Sequence, residues 1–313
     1  MTGNNSSKYR TILLTGVTGF LGSNLLKALL ENNFYVIGLK RSSSDIWRIK
    51  DFLNNDNLEL FDIDKTSFEN IFKNKSADIL IHSAWSGVKA DERKSITKQI
   101  ENFDFAFKLY TSAISIGIKK IISFGSQAEY GKFEGRINED YPCNPTEAYG
   151  LTKLFTNKLL QNLSEQKNIV WFWIRLFSLF GPKEDSNWLI PHSINKMLNE
   201  ENIDLTICEQ KYDYLYIEEL CKGIILLLES EKSGIYNFSS NMSVQLKEIL
   251  LMIKDITKSN SKLNFGALQY RDNQIMNMEG DSTKLYKEIN FNTIPPIKGL
   301  IEMIYYYKKN IGF

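Results

Sequence analysis

The sequence predicts an α/β fold, a doubly wound parallel sheet with a smaller C-terminal substrate-binding lobe, and two observations predict it. Short apolar runs rich in strand formers alternate with stretches of helical periodicity from Thr11 to Phe177. The first run, Thr11 to Thr15, passes directly into a loop with Gly16, Gly19 and Gly22, and a helix with Leu25, Leu26, Leu29 and Leu30 on one face follows. An apolar strand, a glycine loop and a helix are the opening unit of a sheet covered on both faces. The chain of 313 residues is long enough to bury a large core and to carry a second lobe. The expected division is 1-177 plus about 212-240 for the sheet domain, and about 178-211 plus 241-313 for the lobe.

In the loop after the first strand, Gly16, Thr18, Gly19, Phe20, Leu21 and Gly22 form a candidate phosphate cradle. Glycines let the backbone turn tightly and approach a pyrophosphate, and the helix N-terminus supplies N–H donors and a positive dipole end. The second strand, Phe34 to Leu39, ends in Lys40, Arg41 and Ser42. Two cations and a hydroxyl suit a 2′-phosphate, so the expected dinucleotide is NADP(H) rather than NAD. A third strand, Leu58 to Phe61, has the acidic tip Asp62, Ile63, Asp64. The fourth, Ala77 to Ala84, contains His82, which reads as a hydrogen-bonded core histidine.

A helix over Asn102 to Ile116 precedes the fifth strand, Lys120 to Gly125, and places Ser126 at a strand's carboxyl end, where open α/β sheets hold their ligands. Tyr149 and Lys153 lie four apart at the start of the next helix, so a phenol and an ammonium share one face. A cation beside a phenol stabilises the phenolate, which makes the pair a candidate acid-base centre; the plain alternative is an ordinary helix start with Thr146 as N-cap. The sixth strand is Ile169 to Phe177. Ser178 to Pro182 then breaks the alternation. Beyond it the pattern predicts a helix from the Leu189 region to about Leu198, a strand at Leu205 to Cys208 and a helix from Ile217 to Ser230. Gly234 to Phe238 is a candidate return to the main sheet, Ser243 to Lys258 a capped amphipathic helix, and Lys298 to Tyr307 the last helix.

Composition excludes several functions. Lys+Arg 38 against Asp+Glu 37 leaves a net charge of +1, so no global field favours nucleic acid or an anionic membrane. Cys143, Cys208 and Cys221 are scattered, and His82 and His192 are the two histidines, so no metal centre is expected. Met1 to Arg10 is polar and no apolar run is long enough to span a bilayer, which makes the cytoplasm the expected location.

With these residues in order, the chain resembles the extended short-chain dehydrogenase/reductase family over essentially its whole length. The resemblance rests on the Thr15 to Gly22 loop, Asp62, the strand Asp78 to Ala84, Asn102, Ser126 with Tyr130 and Gly131, Tyr149 with Lys153, and Arg175 with Phe180, Gly181 and Pro182. It implies a Rossmann domain in which Tyr149 donates or accepts the proton, Lys153 grips the nicotinamide ribose and lowers the phenol pKa, and Ser126 bonds the reacting oxygen. It further implies that the glycine loop, Lys40, Arg41, Ser42, Asp62, Ile63 and Ala84 contact the cofactor. Trp85, Gln127, Ser178, Leu189 and Arg271 would contact a nucleotide-diphosphate sugar, and a homodimer would form through broad apolar stripes, including Leu151, Leu154, Phe155 and Leu159.

The dehydratases of this family carry two acids where this chain has Gln127 and Ala128, which excludes that elimination. Two classes remain, a 4-keto reductase using NADPH and a 4-epimerase that keeps NAD bound. The basic Lys40 and Arg41 tip, with a C-terminal stretch similar to the reductases of the CDP-paratose and CDP-abequose type, makes the NADPH-dependent 4-keto reductase the expectation. The NAD-dependent 4-epimerase is the alternative.

Overall fold

The computed structural model describes residues 11–72, 75–89, 91–271 and 274–310, so the polar start Met1 to Arg10 lies outside the described residues. The chain opens with β1 (Thr11–Thr15), α1 (Phe20–Glu31), β2 (Tyr35–Lys40), β3 (Leu58–Asp62), α2 (Phe68–Phe72) and β4 (Ile79–His82). It continues with α3 (Ile96–Ser115), β5 (Lys120–Ser126), β6 (Gly135–Ile137), α4 (Ala148–Lys167), β7 (Val170–Leu176) and β8 (Ser178–Phe180). Next come α5 (Leu189–Leu198), β9 (Ile203–Leu205), β10 (Lys211–Tyr216), α6 (Ile217–Leu227) and β11 (Gly234–Phe238). The last elements are β12 (Ser243–Gln245), α7 (Leu246–Thr257), β13 (Leu263–Phe265), β14 (Asn277–Gly280), α8 (Thr283–Ile289) and α9 (Pro296–Asn310).

Two compact units divide the chain. The first comprises Met1–Gly131, Pro142–Arg175 and Cys221–Tyr236. Its sheet has the order β11-β7-β5-β4-β1-β2-β3, and β1 pairs in parallel with both β2 and β4. This is the doubly wound α/β fold the alternation predicts, and β11 returns to the main sheet as expected. The chain order reverses between β1 and β4, where such sheets open a crevice at their carboxyl ends. Leu13, Ile37, Leu80, Ile121 and Trp173 of the sheet pack with Leu109, Tyr110 and Ala113 of α3 and Leu160 of α4. Each buried leucine or isoleucine contributes about 1.5–3 kcal/mol, so this layer fixes α3 and α4 against the strands.

The second unit comprises Lys132–Tyr141, Leu176–Leu220 and Asn237–Phe313. It carries the smaller sheet β12-β10-β14-β6, with β8 beside β10, and the separate pair β13 and β9. A cavity of about 400 Å³ in this unit is lined by Asn138, Glu139, Asp140, Asp281, Thr283 and Lys284.

Three local expectations shift. α3 begins at Ile96 instead of Asn102 because Ser95 caps it, accepting from the Lys98 N–H at 3.4 Å. The expected helix from Ser243 starts at Leu246, since β10 takes Ser243, Val244 and Gln245 as antiparallel partners. The short strand falls on Ile203–Leu205, not Leu205 to Cys208, where Cys208 has φ +60° and leaves extended geometry. Among the described residues no helix is long and apolar enough to cross a membrane.

Candidate active site

At the carboxyl end of β1, Gly16 adopts φ +68°, and a Cβ there would stand 2.8 Å from the Ala84 backbone just beyond β4. Only glycine fits so close an approach. Ala84 donates its N–H to Thr15 Oγ1 at 3.2 Å, which ties the ends of β1 and β4 together. Gly19 is the N-cap of α1 and makes no side-chain cap bond, so Phe20, Leu21 and Gly22 open a helix whose first turn has no cap of its own. Thr18 lies in the turn before it. Uncapped donors beside a glycine turn fit the pyrophosphate of a dinucleotide.

The tip of β2 differs from its sequence reading. β2 and β3 pair in parallel with Lys40 opposite Asp62, and the Lys40 ammonium is joined to the Asp62 carboxylate. Ser42 donates both its N–H, at 2.7 Å, and its hydroxyl, at 2.6 Å, to the Asp64 carboxylate. Ile63 donates its N–H to Lys40 O at 2.9 Å, and Arg41 is exposed. The Lys40 hydrogen bond holds the Asp62 carboxyl below its usual range, and the bonds from Ser42 do the same for Asp64. Two ionised carboxylates thus stand at the tip among Lys40, Lys65 and the exposed Arg41, where they can accept from a ribose hydroxyl.

At the end of β4, His82 is buried and shares a 2.8 Å hydrogen bond with Thr15 Oγ1. Burial, aided by the Lys153 charge, lowers its pKa to about 3, so it is a neutral core residue. Trp85 follows, donating its indole N–H to Gln99 of α3 at 2.9 Å. Gln99 also donates to Gly87 O, and Asn102 exchanges hydrogen bonds with Ser86, so α3 pins the segment after β4.

Ser126 ends β5 and caps a short turn over Gln127–Glu129 in a capping box, accepting from the Ala128 N–H while Glu129 accepts the Ser126 N–H at 2.9 Å. Gln127 Oε1 is buried in that turn without a partner. Glu129 is fully buried and also accepts from the Trp173 indole and the Arg175 guanidinium, both at 2.9 Å. α4 starts at Ala148, with Glu147 instead of Thr146 as N-cap. Gly150 lets it approach, since a Cβ there would lie 2.3 Å from Ala128 O. Tyr149 is thereby brought beside Ser126, whose side chain favours the ionised phenol.

Lys153 is buried, donates to Phe124 O at 2.7 Å and lies 3.5 Å from the Trp85 ring centroid, against 5.9 Å from that of Tyr149. Burial lowers its pKa to about 7, with the Glu129 charge acting in the opposite direction. Burial likewise raises the Tyr149 phenol, opposed first by Arg93, whose guanidinium carbon sits 4.5 Å from the ring centroid.

The structure therefore gathers Ser126, Tyr149, Lys153, Trp85 and Gln127 within the first unit, along with the glycine loop. Ser178 at the start of β8, Leu189 at the start of α5 and the exposed Arg271 belong to the second unit. Of the α4 stripe, Leu151 and Phe155 are exposed while Leu159 packs on the unit's own core. Sequence reasoning missed Glu129 and Arg93. The first had a signal, a Ser-x-x-Glu capping-box spacing from Ser126 to Glu129; the second had none, because nothing local ties residue 93 to residue 149.

Residues 12–239 match the model of the NAD dependent epimerase/dehydratase family. The chain is 26% identical over 304 residues to CDP-abequose synthase of Salmonella muenchen, covering 94% of this chain and 98% of that one. The UDP-N-acetylglucosamine 4-epimerase of Methanobrevibacter ruminantium M1, solved with UDP-N-acetylmuramic acid, superposes with a TM-score of 0.88 at 25% identity, over 97% of this chain and 99% of that one. The UDP-glucuronic acid 4-epimerase of Bacillus cereus, solved with UDP-glucuronic acid and NAD, gives a TM-score of 0.83 at 23% identity over 96% and 99%.

These findings correct the sequence reading. The dinucleotide held by the Bacillus cereus enzyme is NAD, and of the residues taken for a 2′-phosphate site Lys40 pairs with Asp62 and Ser42 donates to Asp64, while Arg41 stays exposed. NADP(H) is overturned, and with it the NADPH-dependent 4-keto reductase, which rested on the basic β2 tip together with the likeness of the C-terminal stretch to the CDP-paratose and CDP-abequose reductases.

Proposed function

The chain belongs to the NAD dependent epimerase/dehydratase family, and we propose that it interconverts the C4 epimers of a nucleotide-diphosphate sugar with NAD as resident cofactor. The observation that carries this reading is the tip of β2, where Asp62 and Asp64 set acceptors in place of a phosphate receptor. The similarity to 4-epimerases of UDP-sugars supports the same substrate class.

In this reading the uncapped start of α1 and the Gly16 turn hold the pyrophosphate, while Asp62, Ile63 and Ala84 line the adenosine side. NAD, when bound, supplies a reversible hydride acceptor. Tyr149 removes the proton of the sugar's C4 hydroxyl as that carbon becomes a carbonyl, and returns it once the sugar has presented its other face. The Ser126 hydroxyl, beside Tyr149, orients the same oxygen. Lys153 directs N–H donors to the cofactor ribose and fixes the floor of the site through Phe124 O. Gln127 and Ala128 offer no acid, so the sugar's C5 and C6 are left intact. Trp85 and Gln127 contact the hexose; Ser178, Leu189 and Arg271 are assigned to the nucleotide diphosphate.

The test is to incubate the protein with a panel of UDP- and CDP-hexoses and NAD, without added reductant, and to follow the sugar C4 proton by NMR. The expected result is an equilibrium mixture of two C4 epimers with no net NADH, and a loss of about 10²–10⁴-fold in Tyr149→Phe. Turnover that needs added NADPH, or a Tyr149→Phe variant as active as the parent, would sink the reading.

A further inference from the structure

Arg93 stands in a short turn, Glu92–Lys94, that the motifs of the sequence do not touch. The turn is held at both sides. Gln99 reaches Gly87 O at 2.9 Å and Glu92 O at 3.4 Å, Lys98 pairs with Glu92, and Ser95 caps α3 immediately after. From this anchored position the Arg93 guanidinium lies over the face of the Tyr149 ring, 4.5 Å from its centroid, and its Nε stands 3.2 Å from a carboxylate oxygen of Glu147, the N-cap of α4. Trp85 meets the same ring edge-on at 6.2 Å.

We propose that Arg93 is the positioning residue of Tyr149: clamped between Glu147 and the ring face, its permanent charge stabilises the phenolate and fixes the ring. The inference rests on the reading of Tyr149 as the acid-base group. The charged groups that face the ring are Arg93 from the turn after β4, Glu129 from the turn after β5, and Lys153 from α4 itself, with Glu147 behind Arg93. Glu129 opposes ionisation of the phenol, and its own charge is already matched by Arg175. Lys153 is turned to the Trp85 ring and to Phe124 O, and loses its proton near neutrality. A guanidinium keeps its charge at every working pH, so Arg93 is the cation that can act on the ring throughout. An opposite charge within 4–6 Å moves a titration by roughly 1–3 pH units.

The experiment is an NMR titration of the full chain with NAD, carrying tyrosine labelled at Cζ with carbon-13, where the resonance lost in Tyr149→Phe identifies Tyr149. In Arg93→Met its midpoint is expected about one pH unit or more above the parent, and Arg93→Lys, which keeps a charge, is expected to recover part of the shift. Should Arg93→Met fail to fold, Arg93→Gln keeps a planar donor toward Glu147 without the charge and is expected to show the same rise. Midpoints that coincide between the parent and the uncharged variant overturn the proposal. The readout does not depend on turnover, so Tyr149→Phe in the epimer assay decides the catalytic reading separately.

Discussion

Two strand ends of the first unit carry charge and treat it in opposite ways. At the end of β2, Lys40, Ser42, Asp62 and Asp64 pair within reach of solvent. At the end of β5, Glu129, Arg175 and Lys153 are each at most 5% exposed and Ser126 8%. In water a local run such as Lys40 and Arg41 says little, because ions there find partners at small gain and can be rearranged by a neighbouring strand. Away from water each charge needs a fixed partner, so the buried group is built as one network and its geometry constrains the chemistry.

Removing one member of the buried network gives the largest effect. Glu129→Ala leaves Arg175 uncompensated and frees the Ser126 and Trp173 donors, and is expected to destabilise the chain by about 3–5 kcal/mol, read by urea unfolding. A loss below about 1 kcal/mol would mean that water reaches this end too, and the contrast collapses.

A smaller effect comes from Lys153. With its pKa near 7 in the fold and about 10.4 in the unfolded chain, the unfolded state holds a proton the folded state lacks between those values. Stability therefore rises as pH goes from about 7 toward 10, by up to about 1.4 kcal/mol per pH unit, and Lys153→Met removes that share of the slope. Parallel slopes for parent and variant would place Lys153 in a solvated environment.

The smallest effect belongs to the β2 tip. Asp62→Asn is expected to leave the melting temperature almost unchanged and to weaken NAD roughly 5–10-fold by calorimetry, the value of one hydrogen bond. NAD affinity untouched by the change would detach this carboxylate from the cofactor.

Much of the fold was legible in the sequence, because strands buried on both faces write themselves as continuous apolar runs and helices as periodic stripes. The return of Gly234–Phe238 to the main sheet was readable for the same reason. Less of the candidate site was. Ser126, Tyr149 and Lys153 could be nominated, since strand ends and helix spacing are local, but Lys153 rests on Trp85 and the cation on the Tyr149 ring is Arg93. Glu147, not Thr146, is the N-cap of α4; its side chain makes no cap bond and pairs instead with Arg93.

By itself, then, the sequence determined the doubly wound sheet, the glycine turn and the placing of a serine hydroxyl at a strand end and of a phenol at a helix start, all consequences of periodicity and short-range geometry. Only the tertiary structure decided which charges meet. The parallel register of β2 and β3 sets Lys40 beside Asp62, 22 positions apart, and the turn after β4 lays Arg93 over Tyr149. Coulomb interactions act through space, whereas a sequence orders residues only along the chain, so the pairing at the β2 tip and the environment of the phenol had to wait for the fold.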